Sequence, residues 1–269
     1  MTFIKQNKYR ILLGLIYLLG FLSIGLVFTD VSAWWLLAGL LWSKAVQLIG
    51  HSIGMHRYFT HKTFKTTVLK EKIMGWTSIL LGVGSPIAYA RNHRQHHKVA
   101  DTEEDVHSPH NQNKIIAILG LWEFRSLKYF MSKGGSSPRD LITNPSIRFI
   151  HDHYYKIWII LTVLTLAIDW KITLYLLYLP AFIYHMELGI FVNYIGHTFG
   201  YKNFDTTDKA GNNKWVHLWT LGEGLHNNHH AKPWLYNWKV KDDEPIDISA
   251  WAIDKFFIKG YGATAGFVG

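Results

Sequence analysis

Apolar and polar positions along this chain fall into blocks. Residues 11–28 (ILLGLIYLLGFLSIGLVF) carry no charge, and residues 33–50 (AWWLLAGLLWSKAVQLIG) carry only Lys44. A helix needs about 20 mostly apolar residues to cross a bilayer. Each block therefore predicts a membrane span, and the short link Thr29 to Ser32 predicts a tight helical hairpin. Lys5, Lys8 and Arg10 ahead of the first block, with Val31-Ser32-Ala33 after it, also resemble a signal peptide. The apolar run exceeds the usual length of about 7–15 residues and a second run follows at once, so the segment reads as an uncleaved anchor. Residues 155–168 and 172–197 predict a second hairpin turning at Asp169-Trp170-Lys171, with Pro180 kinking its second helix. Lys44 inside the second block either snorkels or faces protein. His185 and Glu187 inside the last block are either functional or a bonded pair at a helix–helix contact.

The stretches between and after the hairpins, 51–154 and 198–269, are polar and basic. Lys and Arg accumulate on the cytoplasmic side of membrane proteins, which predicts both termini and both polar segments there. Residues 74–90 (MGWTSILLGVGSPIAYA) interrupt the polar stretch. The run is short for a span and holds three Gly and a Pro; it reads as re-entrant, interfacial or packed against the polar domain. Residues 115–131 predict an amphipathic surface helix or an ordinary packed one, and Gly134 to Pro138 a flexible loop. The expected architecture is an all-α integral membrane protein: one domain over 1–269, with four transmembrane helices in two hairpins and a helical cytoplasmic part.

Composition sharpens this picture. The chain is 49% hydrophobic, 15% aromatic and 17% charged, against roughly a quarter charged for a soluble domain. It has no cysteine, which excludes thiolate metal sites, iron–sulfur clusters and Cys nucleophiles. The net charge of +9 follows from topology first, and secondly suits anionic lipid, a phosphate-bearing substrate or an acidic electron carrier. The basic residues are dispersed and no nucleic-acid motif is present, so nucleic acid is not an expected partner.

The histidines, 16 in all, are clustered. His56 and His61 stand in HRYFTH, His93, His96 and His97 in NHRQHH, and His226, His229 and His230 in HNNHH. Helical positions three or four apart share a face at about 5–6 Å, so imidazoles at this spacing reach one metal with bonds of about 2 Å. His107, His110, His151, His153 and His217 lie outside the clusters and read as solvated or hydrogen-bonded. Eight clustered imidazoles exceed the needs of one four-coordinate zinc. Two ions are the economical reading, and nitrogen ligation with open positions favours redox iron. Asp101, Glu103, Glu104, Asp105 and Glu223 lie close enough in sequence to bond the outer nitrogens of such rings.

At GMHRYFTHKTFK (54–65), RNHRQHHKVADTEEDVHSP (91–109), VNYIGHTFG (192–200) and GEGLHNNHHAKPW (222–234) the chain resembles the membrane fatty-acid desaturases, in particular the delta-9 acyl-CoA or acyl-lipid branch. The resemblance covers roughly residues 30 to 260. It implies two ferrous ions held by His56, His61, His93, His96, His97, His197, His226, His229 and His230, with Asn193 approaching one ion through water. His197 comes from the family pattern alone. His51 also stands five residues before His56, but the HR-x-x-T-H flank selects His56 and His61 and leaves His51 as a supporting or helix-packing residue. Asn92 departs from the acid common before the second box, and His226 from the Gln typical of front-end desaturases.

The implied chemistry is a metal-centred one: dioxygen and two electrons remove hydrogens from adjacent methylenes of a fatty-acyl chain, CoA- or lipid-linked, giving a cis alkene and water. No nucleotide fingerprint or fused carrier is present, which implies an external donor of ferredoxin or cytochrome b5 type. The nearest rival is hydroxylation, acetylenation or ketolation of a lipid on the same scaffold. A metal transporter would need ligands along the membrane path, and a zinc protease the H-E-x-x-H motif, which is absent.

Overall fold

The structure is a computed structural model and describes residues 3–29, 31–121 and 137–258. The regular elements among the described residues are helices, and extended pairing there is limited to the isolated bridges Tyr201–Asn212 and Asn212–Leu225. Helix α1 spans Phe3–Gly25 and ends in a 3-10 turn, Leu26–Phe28. Helix α2 spans Ala33–Thr60 and begins where the Ser32 hydroxyl accepts the Trp34 N–H. After it come α3 (Val68–Ile79), α4 (Pro86–Val99), α5 (Lys114–Ile118), α6 (Arg139–Ile142) and α7 (Pro145–Ile168). The long α8 spans Trp170–Ile195 and is capped by Asp169, whose carboxylate accepts the Lys171 N–H at 2.8 Å. The short helices α9 (Lys214–Trp219) and α10 (His226–Ala231) follow. Last comes α11 (Ile248–Ala252), extended by a π-wound turn, Ile253–Phe257.

Among the described residues three helices are long and apolar enough to cross a membrane: Asn7–Phe28 (α1 with its 3-10 turn), α2 and α8. The remaining expected span, 155–168, is the second half of α7. Its first half carries His151, His153 and the Arg148–Asp152 ion pair at 2.7 Å; its charge-free part, 157–168, is shorter than the about 20 residues a perpendicular crossing takes. That part exposes Ile159, Ile160, Val163 and Leu164 on its outer face, as α1 exposes Leu15, Leu18 and Phe21.

The helices interlock through polar groups as well as apolar ones. Tyr175 of α8 donates to the Ser23 carbonyl of α1 at 2.8 Å, and Thr165 of α7 bonds Thr173 of α8 at 2.9 Å. These contacts place the two hairpin tips at the same end of the bundle. Pro180 has no N–H to return to the Leu176 carbonyl four residues back; the Trp42 indole N–H of α2 donates to that carbonyl instead, at 3.0 Å. Lys44 faces protein: its ammonium contacts Glu187 at 2.5 Å and the Trp219 carbonyl at 3.0 Å. The embedded pair is therefore bonded at a helix–helix contact. His185 packs at the same level, its ring 6.1 Å from that of Tyr17.

Two boundaries differ from expectation. The expected second span stops at residue 50, where polarity rises, but α2 continues to Thr60. From Gln47 it is π-wound, with the His61 N–H donating to the His56 carbonyl five residues back at 3.1 Å. Residues 51–60 are covered by α3 and α4, so they can be polar and still helical. The apolar run 74–90 is neither a span nor a single element. It is the end of α3, a turn in which Gly82 takes φ 75°, and the start of α4, capped by Ser85. Helix α3 runs antiparallel to α2 at close range: a Cβ on Gly50 would lie 3.0 Å from the Ser78 nitrogen, and one on Gly54 3.0 Å from the Met74 Cβ. The chain thus turns back, and the histidine boxes before and after the run share one end of the molecule. The expected surface helix 115–131 begins with α5, and its part beyond residue 121 lies outside the described residues, as do Gly134 to Ser136 of the expected loop.

Candidate metal centre

Four helix ends converge. The π-wound end of α2 brings His56 and His61, five apart, to one side, since an i→i+5 winding stacks such residues nearly one above the other. Helix α4 supplies His93, His96 and His97, the end of α8 leads to Asn193 and His197, and α10 supplies His226, His229 and His230. Ring nitrogens that could ligate a metal fall into two groups, each with its atoms within 4.8 Å of one another: His56, His61, His93, His97 and His229; and His96, His197, His226 and His230.

The grouping explains the His-x-x-His-His spacing. In α4 the outer pair, His93 and His97, serves the five-imidazole group, and His96 between them turns to the other. In α10 the outer pair, His226 and His230, serves the four-imidazole group, and His229 turns to the first. Each of these helices therefore feeds both groups: i+3 and i+4 both neighbour position i, but they lie on opposite flanks of it, about 100° apart around the axis.

The distances suit a metal. Nε2 atoms approach at 3.0 Å for His56–His229 and His93–His97, 2.9 Å for His97–His229 and 3.0 Å for His197–His226. Two nitrogens at right angles about one ion, with bonds of about 2.1 Å, lie about 3.0 Å apart. His61 Nε2 and His230 Nε2 are buried without a hydrogen-bond partner, which a metal ion would supply. Burial, then the neighbouring imidazoles, holds His93, His97, His229 and His230 well below the ordinary histidine range. The rings are therefore neutral, as ligation requires. Asn193 is buried one turn before His197, with its amide nitrogen unpartnered.

Carboxylates stand behind several rings. His56 Nδ1 meets Glu223 at 2.5 Å, His96 meets Asp105 at 2.9 Å, His197 meets Asp101 at 2.9 Å and His230 meets Asp208 at 3.2 Å. Such partners fix the ring and direct Nε2 inward. Burial opposes charge on Asp101, yet its bonds to His197, the Lys209 N–H and Ser108 hold the carboxyl far below its usual range. Asp105 behaves alike through His96. Three of the five acids singled out from sequence are thus in place, while Glu103 and Glu104 remain exposed. Asp208 was not legible: it lies in a loop with no fixed spacing to any histidine box.

Two further features escaped the sequence. Arg57 is fully buried; it bonds Glu223 at 2.6 Å, Asp247 at 3.0 Å and the Tyr236 carbonyl at 2.8 Å, and lies 3.6 Å over the Trp238 ring. Trp238 in turn packs on His229 with ring centroids 4.2 Å apart. His51 is a packing residue beside the centre, its Nε2 2.9 Å from the Tyr89 hydroxyl. Of the isolated histidines, His110 bonds the His197 carbonyl, His151 the Ser85 hydroxyl, and His153 the Phe149 carbonyl. His217 accepts the Leu225 N–H, and His107 lies 3.8 Å from Asp105.

The profile of the fatty acid desaturase family matches residues 31–248. An sn-1 stearoyl-lipid 9-desaturase of Anabaena variabilis is 32% identical over 190 residues, 68% of this chain and 66% of that protein. A hex-5-enoyl-[acyl-carrier protein] acetylenase of Moorena producens (strain JHB) is 27% identical over 265 residues, 86% of this chain and 77% of that protein. An acyl-CoA Delta(11) desaturase of Choristoneura rosaceana is 26% identical over 276 residues, 91% of this chain and 79% of that protein. The chain spans between about two thirds and four fifths of the length of these relatives. The match runs through all four converging helix ends, and the chain belongs to the fatty acid desaturase family.

Proposed function

We propose that the chain is a membrane enzyme that holds two iron ions, one in each imidazole group, and forms a cis double bond in a fatty-acyl chain at a delta-9-like position, with dioxygen as co-substrate. The observation that carries this reading is the division of the nine histidines into groups of five and four, each with its ring nitrogens close enough to share one ion. His56, His61, His93, His97 and His229 would hold one ion; His96, His197, His226 and His230 the other, with Asn193 reaching it through water. The metal pair supplies the oxidising power to break an unactivated C–H bond, which no side chain provides.

The chain's own residues do the rest. Glu223, Asp101, Asp105 and Asp208 keep the rings aimed. The surrounding helices hold the acyl chain, each buried methylene contributing about 0.8 kcal/mol, and a misplacement of about 1 Å would cost roughly 100-fold in rate. In this reading α7 crosses as the fourth span, as the antiparallel partner of α8, with the termini and the histidines on the cytoplasmic side in keeping with the basic polar segments. A separate ferredoxin or cytochrome b5 type carrier brings the electrons.

Acetylenation is a second reading, favoured by the similarity to the acetylenase over 265 residues. Expression in a host lacking its own desaturase, followed by fatty-acid profiling, tests both. A new cis alkene is expected in wild type and none in His229→Ala, with the variant still in the membrane fraction. A triple bond or an added oxygen would displace the first reading.

A further inference from the structure

The two imidazole groups differ in what stands behind their rings. In the four-imidazole group three Nδ1 atoms face carboxylates: His96 with Asp105, His197 with Asp101, and His230 with Asp208. Among the described residues no Lys or Arg side chain is paired with any of these acids. Their remaining bonds come from neutral donors: Ser108 and the Lys209 N–H to Asp101, the Asp101 and His107 N–H groups to Asp105, and Thr206 and the Ala210 N–H to Asp208. In the five-imidazole group a single ring, His56, meets a carboxylate, and Glu223 shares its charge with Arg57 at 2.6 Å.

We propose that the four-imidazole position is the tighter of the two metal positions and fills first, because three carboxylates, none bonded directly by a Lys or Arg side chain (the Lys202 ammonium bonds the Asp208 carbonyl and not its carboxylate), make its ligands more basic. A carboxylate that draws on the Nδ1 proton raises the electron density at Nε2, and the added negative charge favours a cation nearby. The fifth imidazole of the other group acts in the opposite direction, but one extra nitrogen replaces a single water. Each outer partner contributes about 10–100-fold in metal affinity, so three against one compensated partner leaves the four-imidazole position ahead. Asp101, Asp105 and Asp208 are then positioning residues that set the order of loading. The inference rests on the two-metal reading above and adds a sequence of events to it.

The test uses the full chain, purified metal-free in detergent and given 57Fe(II) without oxygen. At one equivalent per chain, Mössbauer spectra are expected to show one dominant ferrous doublet, with a second growing in only as the second equivalent is added. Asp208→Asn should lower the first affinity by about 10–100-fold, so that the two doublets grow together, and Asp208→Glu should restore the order. Asp101→Asn serves as an independent check on the same doublet, and Glu223→Gln should perturb only the doublet that appears second. Equal doublets at one equivalent in the wild-type chain, or an Asp208→Asn effect confined to the later doublet, would overturn the proposal. Uptake of two irons in equal proportion refutes the loading order alone, whereas uptake of no iron refutes the two-metal reading with it.

Discussion

His217 shows how a residue outside the two imidazole groups supports them. It is fully buried in α9 and accepts the Leu225 N–H at 3.2 Å, which ties α9 to the start of α10. Burial lowers its pKa from the ordinary 6.5, so the ring is neutral in the folded chain and can act as acceptor. The unfolded chain binds a proton there below about pH 6.5, and the folded chain does not. The stability from His217 is thus fully present above that pH and is lost as pH falls toward the folded pKa. His217→Gln is expected to shrink the difference in melting temperature between pH 7.5 and pH 5.5, as read by a thermal shift assay. His217→Ala leaves a cavity and an orphaned N–H, and should cost about 2–4 kcal/mol. At this scale the sequence was legible where chemistry repeats at helical spacing. The three histidine boxes could be picked out because i, i+3 and i+4 define a face. Asp208 and Asp247 could not, since a loop brings them to His230 and Arg57 from positions that no local pattern marks.

At the scale of elements, the apolar blocks announced the hairpins, and the errors came from reading polarity as the end of a helix. Residues 51–60 are polar because histidines and Arg57 belong there, and protein rather than lipid covers them. Residues 74–90 are apolar because α3 is wedged against α2, and hydropathy does not distinguish a protein neighbour from a lipid one. Trp42 and Pro180 offer a sharper test of the packing. Removing the indole N–H in Trp42→Phe takes that bond from the Leu176 carbonyl, at an expected cost of about 1–3 kcal/mol. In the Pro180→Ala background a backbone N–H becomes available to that carbonyl, so the same Trp42→Phe change should cost about 1 kcal/mol less. A four-way comparison of detergent-solubilised melting temperatures measures the coupling. Strictly additive values would mean that the indole bond does not substitute for the missing backbone bond.

At the scale of the molecule, one end of the bundle carries the hairpin tips and the other all nine clustered imidazoles. In the proposed two-metal reading, stripping metal should leave the hairpin end intact and loosen the other. Chelator treatment is expected to lower the melting temperature by several degrees and to open the 198–258 region to protease first, with both effects reversed by added iron; an unchanged digestion pattern would count against a metal-braced polar end. Arg57 has a further consequence, for how the protein is made. This residue near the end of the second helix makes its strongest contacts with Glu223, Tyr236 and Asp247, and its neighbour His56 faces His229. A ribosome-bound chain can insert its first hairpin long before those residues emerge. Until then the early histidines have no opposing donors and the guanidinium no counterion, so in the proposed two-iron reading iron can be held only once the whole polypeptide has been made.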